Sequence, residues 1–389
     1  MASRADEDIV LYAVGDVAPY RDDPSSIFRH VKHVLNQGDI VFCQLEANLS
    51  HRGTRLPQVR ATLLYDPQIA RAIKGAGFDV VSFASNHCMD WGREAFFDTI
   101  DALKEQELQV IGVGRNIEEA RRPAILERKG TQVAFLAYNS ILPLGYWAEV
   151  DRPGCTPLRA WTLYEPIEPA QPGRPCRIHT FPHRDDLEAM VDDIKKARSQ
   201  ADLVIVSMHC GIHFVPAVLA EYQKEIAHVA IDSGADLIID THAHILKGIE
   251  VYRGKVIFYS LCNFALELPA RKEVLGSQSQ RELQDIAIYG THPEWLPYEK
   301  PDPEYPTYPF HPDARKTLIV KCIISNKAIK NVSFLPSYIN KEAEPEVLSS
   351  RDTRFGEVVK YMEEITRSQE LGTRYIIEGD EVVIHRESA

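Results

Sequence analysis

Short apolar runs alternate along the chain with amphipathic stretches, and several of the runs stop on a polar residue. Ile9-Val10-Leu11-Tyr12-Ala13-Val14 ends at Gly15-Asp16, and Asp39 to Cys43 ends at Gln44-Leu45-Glu46. Phe78 to Ala84 ends at Ser85-Asn86-His87, Ala201 to Met208 at His209, and Ala235 to Ile239 at Asp240-Thr241-His242-Ala243-His244. Runs of this length predict short buried strands. Val110 to Val113, Thr131 to Tyr138 and Lys255 to Ser260 read the same way. Between them, apolar residues recur at helical spacing over Ser26 to Asn36, Pro67 to Ala76, Arg93 to Gln106, Asp185 to Gln200 and Ala217 to Ser233. Strand and helix in alternation predict an α/β fold with a substantially parallel sheet. Arg315 to Ile324 and Lys330 to Leu335 form a late β pair, Phe355 to Arg367 a helix, and Tyr375 to His385 a hairpin turning at Glu378-Gly379-Asp380.

Two stretches break the rhythm. Leu142 to Pro182 and Leu268 to Pro312 hold eight prolines each. The first carries Tyr146, Trp147, Trp161 and Tyr164, and the second Trp295, Tyr298, Tyr305, Tyr308 and Phe310. Structureless loops this long are uncommon in a compact domain unless they serve function, and the aromatic content opposes disorder. Both are expected to be lids over a site.

Composition narrows the classes. The chain has 389 residues, 44% hydrophobic and 26% charged, an ordinary globular balance. A formal net charge of -12 opposes a nucleic-acid footprint, which needs a basic patch. The seven cysteines form no CxxC pair, so reduced thiols are expected rather than a disulfide framework. Ile9 to Val14 is too short for a signal core, and no run of 18 apolar residues suggests a membrane span. These readings predict a cytoplasmic protein with no membrane or nucleic-acid partner and a small-molecule or peptide substrate, with self-association left open.

Asp16, Glu46, Asn86 with His87, His209, and His242 with His244 all stand at predicted strand ends, where open α/β sheets offer a ligand crevice. Alone, each has a plain structural use: a cap, a solvated acid, a turn, a buried imidazole. Together they make a mixed nitrogen and oxygen set suited to a divalent ion such as Zn, Mn, Fe or Ca.

With these motifs the sequence resembles the CapA family of poly-gamma-glutamate capsule biosynthesis proteins, within the calcineurin-like metallophosphoesterase fold. The matching segments are Gly15-Asp16, Gln44-Leu45-Glu46, Ser85 to Gly92, His209 to His213, Asp240 to His244 and Tyr259 to Phe264. The resemblance implies a four-layer αββα sandwich. It implies one family domain over residues 1–340, with insertions near 142–182 and 268–312, and a C-terminal helix and hairpin over 341–389 packed on the same domain. It further implies that Asp16, Glu46 and His244 surround one ion, and that Glu46, Asn86, His209 and His242 surround another. His87 becomes an acid near the leaving group, oriented by Asp90, and Asp240 would orient a ligand imidazole. Four departures bear on this. Asp-x-His at the first strand reads Asp16-Val17-Ala18, so one ligand is missing and a single tightly held ion is expected. His213 replaces an acid and is a candidate base, and Cys262 stands where glycine is usual; Gln44 likewise replaces asparagine. The implied activity is a metal-dependent hydrolase of an amide, γ-glutamyl or phosphoester bond. A metal-dependent epimerase or isomerase, and a non-catalytic accessory of polymer synthesis, are the alternatives.

Overall fold

A computed structural model describes residues 8–57, 59, 63–168, 170–171, 173, 176–268 and 302–386. Its strands in chain order begin with β1 (Ile9–Ala18), β2 (Ile40–Leu45), β3 (Val80–Ser82), β4 (Gln109–Ile111), β5 (Val113–Gly114), β6 (Ala124–Arg128) and β7 (Thr131–Asn139). They continue with β8 (Gly154–Cys155), β9 (Ala160–Pro166), β10 (Cys176–Pro182), β11 (Leu203–His209), β12 (Leu237–Thr241), β13 (Ile249–Tyr252), β14 (Lys255–Phe258) and β15 (Asn263–Leu266). The last are β16 (Lys316–Ser325), β17 (Ala328–Ile339), β18 (Pro345–Val347), β19 (Arg374–Glu378) and β20 (Glu381–His385). The helices are α1 (Lys32–Leu35), α2 (Gln68–Gly75), α3 (Gly92–Glu105), α4 (Ile117–Ala120), α5 (Arg184–Arg198), α6 (Glu221–Asp232) and α7 (Thr353–Ser368).

Two mixed sheets face each other. The first runs β19-β20-β17-β16-β1-β2-β3-β4, with β15 beside β1 and β18 beside β17. The second runs β13-β14-β12-β11-β7-β6. Alternation along the second sheet shows why its strands read as continuous apolar runs. Val133, Phe135, Leu203, Ile205, Leu237 and Ile239 belong to the core shared with the first sheet. Their neighbours Ala134, Leu136, Val204, Val206 and Ile238 pack with Leu187, Met190 and Ile194 of α5 and Ile226 and Ala230 of α6. A sheet covered on both faces needs apolar residues at every position. On the far side, Phe96 of α3 stacks on Phe83 at 5.8 Å and Phe28 meets Phe78 edge-on at 5.7 Å. The result is the expected four-layer αββα sandwich.

Local readings differ in three places. The helix expected over Ser26 to Asn36 is a 3-10 turn, Pro24–Phe28, followed by the single-turn α1. Ile27, Phe28, Val31, Val34 and Leu35 are all buried even so; two short turns meet the burial that the pattern anticipates. The strand expected over Val110 to Val113 breaks at Gly112, where φ is +78 and a Cβ would lie 2.6 Å from Ala84 Cβ and 2.8 Å from Ala137 Cβ. Residues 142–182 are not one long loop. They hold β8 and a hairpin of β9 and β10, with Pro166 and Pro182 at strand ends, where no ladder donor is needed. Of the second proline-rich stretch, residues 269–301, with Trp295 and Tyr298, lie outside the described residues. None of the seven cysteines is in a disulfide. No helix among the described residues is long and apolar enough to cross a membrane.

Candidate metal centre

The ends of β1, β2, β3, β11 and β12 and the turns after them converge at one edge of the sandwich. β1 reaches this edge by leaving its antiparallel partner β16 and pairing in parallel with β15, so that Asp16 lies opposite both Asn263 and Gln44. Gly15 is required there. A Cβ at residue 15 would lie 1.8 Å from the Cys262 carbonyl oxygen, and this close approach lets the Asp16 N–H donate to that carbonyl at 3.1 Å. The Glu46 N–H donates to Val17 O at 3.1 Å and sets the end of β2 beside the end of β1. From the second sheet, β11 ends on His209. After β12 the chain turns sharply: His242 has φ +81 and His244 φ +51. Left-handed backbone at non-glycine residues is costly and persists where the surroundings enforce it.

Glu46 sits between two sets of groups. Potential ligand atoms of Glu46, His209 and His242 lie within 4.8 Å of one another, as do those of Asp16, Glu46 and His244. His209 Nε2 is 3.5 Å from Glu46 Oε1, His244 Nε2 is 3.6 Å from Glu46 Oε2, and His244 Nδ1 is 3.8 Å from Asp16 Oδ2. The Asn86 side-chain oxygen lies 2.7 Å from His209 Nε2. All of these except the half-buried Asn86 are buried.

Four of the atoms facing this space have no hydrogen-bond partner although they are sealed from solvent: Asp16 Oδ1, both carboxylate oxygens of Glu46, and His242 Nδ1. Leaving buried polar atoms unpaired costs about 1–3 kcal/mol each, and a concentration of them at one point is the mark of a missing partner. Every orphan is an oxygen or imidazole donor, and the set fits a divalent cation.

A second ring of contacts orients these side chains. His209 Nδ1 is 2.9 Å from the Thr241 hydroxyl, which leaves Nε2 for the centre. His244 Nδ1 is 2.6 Å from the Asn263 side-chain oxygen. Asn263 in turn donates to Tyr308 Oη at 2.9 Å, and Tyr308 donates to Ala314 O at 2.6 Å. Asp90 binds His87 Nδ1 at 2.6 Å through one oxygen and accepts from Tyr146 Oη at 2.9 Å through the other. Asp240 does not orient an imidazole. Its oxygens accept from the Cys210 and Thr241 N–H groups, the Cys210 thiol at 2.8 Å and the Gln223 amide at 3.2 Å. Successive strand residues face opposite ways, so Thr241 faces the histidines and Asp240 the reverse side.

His213 is exposed, with its ring 3.8 Å from that of His242 and 5.3 Å from that of His244 between centroids. Phe214 and Phe310 stand 5.5 and 5.3 Å from the His244 ring; the centre has an aromatic wall on this side. The loop carrying His213 is strained at Phe214 (φ +58) and Ala217 (φ +52). It is tied by the buried Lys247 ammonium, which donates to the carbonyls of Val215 and Val218.

Burial pushes the Asp16 carboxyl up to about 8, against hydrogen bonds from His242 N–H and Thr241. Burial, and then the charges of Asp16 and Asp90, push Glu46 well above its ordinary range. Burial drives His209 and His242 well below the usual imidazole value and lowers His244 to about 4. Burial alone would lower His87 too, but the charge and hydrogen bond of Asp90 outweigh it and His87 ends above its ordinary value.

The structure therefore brings Asp16, Glu46, Asn86, His209, His242 and His244 together, with His87, Asp90 and His213 at the rim. At the departures, Ala18 is buried and its carbonyl accepts from Glu267 N–H at 3.1 Å. Cys262 takes the left-handed φ of +64 that would suit glycine, and the Gln44 amide donates to Leu45 O and Ala84 O. Thr241, Asn263 and Lys247 were given no role from sequence, and Tyr146 and Tyr308 were marked there only as aromatics of the two proline-rich stretches. Their roles depend on partners far along the chain; Thr241 and Asn263 lay inside segments already marked.

A family model described as "Bacterial capsule synthesis protein PGA_cap" matches residues 8–267. The PGA biosynthesis protein CapA of Bacillus subtilis is 27% identical over 244 residues, 62% of this chain and 57% of that protein. The capsule biosynthesis protein CapA of Bacillus anthracis is 28% identical over 275 residues, 68% of this chain and 61% of that protein. A probable polyglutamine synthesis accessory protein of Mycobacterium tuberculosis is 27% identical over 225 residues, 57% and 54% of the two chains. The aligned regions thus span less than two thirds of the length of these relatives. Among solved structures, a putative 5'-nucleotidase from Staphylococcus aureus in complex with alpha-ketoglutarate aligns with TM-score 0.42 and 13% identity, covering 92% of this chain and 58% of that one. The calcineurin-like phosphoesterase YfkN from Bacillus subtilis aligns with TM-score 0.38 and 12% identity, covering 93% and 98%.

Proposed function

The chain belongs to the bacterial capsule synthesis protein family PGA_cap, and from that premise we propose that it is a metal-dependent hydrolase of an amide bond of the γ-glutamyl type. The observation that carries this reading is Glu46: both of its buried oxygens are unbonded, and each faces a different set of candidate ligands. Glu46, Asn86, His209 and His242 would hold one divalent ion, and Asp16, Glu46 and His244 would hold a second, weaker one. Bound there, such an ion supplies a more acidic water and polarises a carbonyl or phosphoryl oxygen.

The chain's own residues do the rest. Asp90 accepts from His87 Nδ1 and holds the ring with Nε2 facing outward from that bond, while Tyr146 fixes Asp90. His87 is half-buried at the rim, within reach of a leaving group, and delivers a proton to the departing nitrogen. Thr241 and Asn263 keep the imidazoles of His209 and His244 turned toward the centre. Phe214 and Phe310 supply an apolar wall that excludes water on the His244 side.

A second reading is favoured by His213. Its ring lies 3.8 Å from that of His242, and among the described residues no acid is hydrogen-bonded to it, an arrangement that suits a base abstracting a proton next to a carboxamide. The same experiment separates the readings. Elemental analysis of purified protein is followed by incubation with γ-glutamyl-4-nitroanilide and 4-nitrophenyl phosphate, and with an unactivated γ-glutamyl amide in deuterated water. Metal-dependent release of nitroaniline supports the hydrolase. Deuterium at the carbon next to the carbonyl without cleavage supports the isomerase. Metal-loaded protein with neither activity rejects both and leaves the accessory role.

A further inference from the structure

The first sheet ends on an open edge at β19, whose residues read Arg374-Tyr375-Ile376-Ile377-Glu378. Among the described residues its only strand neighbour is β20. The pairing runs from Arg374 opposite His385 to Glu378 opposite Glu381, with Ile376 opposite Val383. The hairpin closes through Gly379-Asp380, and Gly379 takes φ +66, as a two-residue turn with glycine first requires. Such a turn closes on a hydrogen-bonded pair, and the antiparallel ladder then alternates. Glu378, Ile376 and Arg374 therefore bond β20 through their backbone, and the N–H and C=O groups of Tyr375 and Ile377 point off the edge. Among the described residues, no backbone group outside the hairpin bonds those of Tyr375 or Ile377.

The side chains leave the edge uncovered as well. Ile376 is 45% exposed and Ile377 55%, and as successive strand residues they lie on opposite faces. Edge strands are ordinarily protected by charge, proline or a bulge; β19 carries charge only at its two ends and has no proline. Glu378 faces Glu381 across its own hairpin, and like charges directly opposite are unfavourable. Lys321 bonds Glu381 at 2.5 Å, while no cation pairs with Glu378 among the described residues.

The strand is complementary to itself when reversed. About a two-fold axis through Ile376, a second β19 laid antiparallel sets Ile376 against Ile376, Tyr375 against Ile377, and Arg374 against Glu378 at each end. This register brings the outward backbone groups of Tyr375 opposite those of Ile377, two bonds for each such pair. A slip of two residues, the smallest that keeps outward groups opposite one another, loses both the isoleucine pair and the two charge pairs. We propose that β19 is a dimerisation edge, on which a second copy of this chain docks its own β19 antiparallel to make one sheet continuous through both subunits. The contact is the same patch on each subunit and closes on itself. A five-residue edge is small beside a standard interface, so the dimer is weak and reversible.

The test is sedimentation velocity of the full chain from about 1 µM to about 1 mM, with folding checked by circular dichroism and melting. Wild type is expected to pass from monomer to dimer within this range. Ile377→Pro removes an outward N–H that β20 does not use, at an edge where proline is tolerated, and is expected to stay monomeric. Ile376→Lys sets like charges against each other at the axis and decides the matter if Ile377→Pro does not fold. Arg374→Glu is expected to weaken dimerisation about threefold to tenfold, and Arg374→Glu combined with Glu378→Arg to restore it. A wild type that is monomeric throughout, a dimer unchanged by a folded Ile377→Pro or Ile376→Lys, or a double exchange that dimerises no better than Arg374→Glu alone overturns the proposal.

Discussion

Metal affinity should depend on pH through the carboxylates and not through the histidines. The perturbation is a shift from about pH 8 to about pH 6. Asp16 holds its proton up to about 8, because burial disfavours its charge by more than the hydrogen bonds from His242 and Thr241 and the charge of His87 offset; Glu46 is raised by burial and then by the charges of Asp16 and Asp90. A cation arriving at the set of Asp16, Glu46 and His244 must displace that proton, so its apparent affinity falls about tenfold for each pH unit below about 8. Over two units this is about a hundredfold, or about 2.7 kcal/mol at 1.36 kcal/mol per unit, and Glu46 steepens it. The imidazoles contribute nothing in this window: His244 titrates at about 4, and His209 and His242 stay well below the usual value. The assay is calorimetric titration of Mn²⁺ into metal-stripped protein, in buffers of different ionisation enthalpy, at three pH values across the window. At least one proton should be released per ion near pH 7. Stability follows with a definite sign. A carboxyl with a raised folded-state pKa contributes stability that is fully present below its unfolded value near 4 and is lost as pH rises through about 8. The metal-free protein should therefore melt lower at pH 8 than at pH 6, and the rise in Tm on adding Mn²⁺ should be larger at pH 8. Flat affinity across the window, or a loss that begins only below the ordinary imidazole value, would refute the reasoning.

Three further outcomes are expected. His209→Ala and His242→Ala should each lose the tightly held ion, measured by elemental analysis, while circular dichroism stays native; full retention of metal in either would reject the ligand assignment. His87→Asn should keep metal and slow nitroanilide turnover by about a hundredfold or more, and near-normal turnover would move the acid–base role to His213. Asn263→Ala removes the partner of both His244 and Tyr308 and should weaken metal binding by about 10–100-fold, so an unchanged titration curve would show that this chain of hydrogen bonds does not orient His244.

The order of strands and helices was legible because both sheets are covered on two faces, which writes each strand as an apolar run. The candidate ligands were legible because each interrupts such a run at its end. What escaped has a common cause. β6 and β13 are the edge strands of the second sheet, with one buried residue each, and make no apolar run of buried positions. The β9–β10 hairpin leaves Trp161, Leu163, Tyr164 and Ile178 exposed, so its apolar residues mark no core. Asp240 looked like a partner for the neighbouring histidines because it is adjacent in sequence, but the strand pleat turns it to the other side. Lys247 acquires its surroundings only when the loop carrying Val215 and Val218 closes over it.

The exchange of partners along β1 has a consequence for how the chain is made. Ile9 pairs with Ile324, and Asp16 pairs with Asn263. When β1 leaves the ribosome, β2 soon follows, but its other flank has no strand to receive it. At about 5–20 residues per second, roughly 250 to 300 residues of further synthesis leave that flank open for about 15–60 s. An unpaired apolar strand edge is a template for any other extended chain. During this interval the nascent protein is most exposed to pairing with its neighbours on the same message, and chaperones that bind extended apolar segments should govern its yield more than any ion, because the ion's residues are not yet in one place.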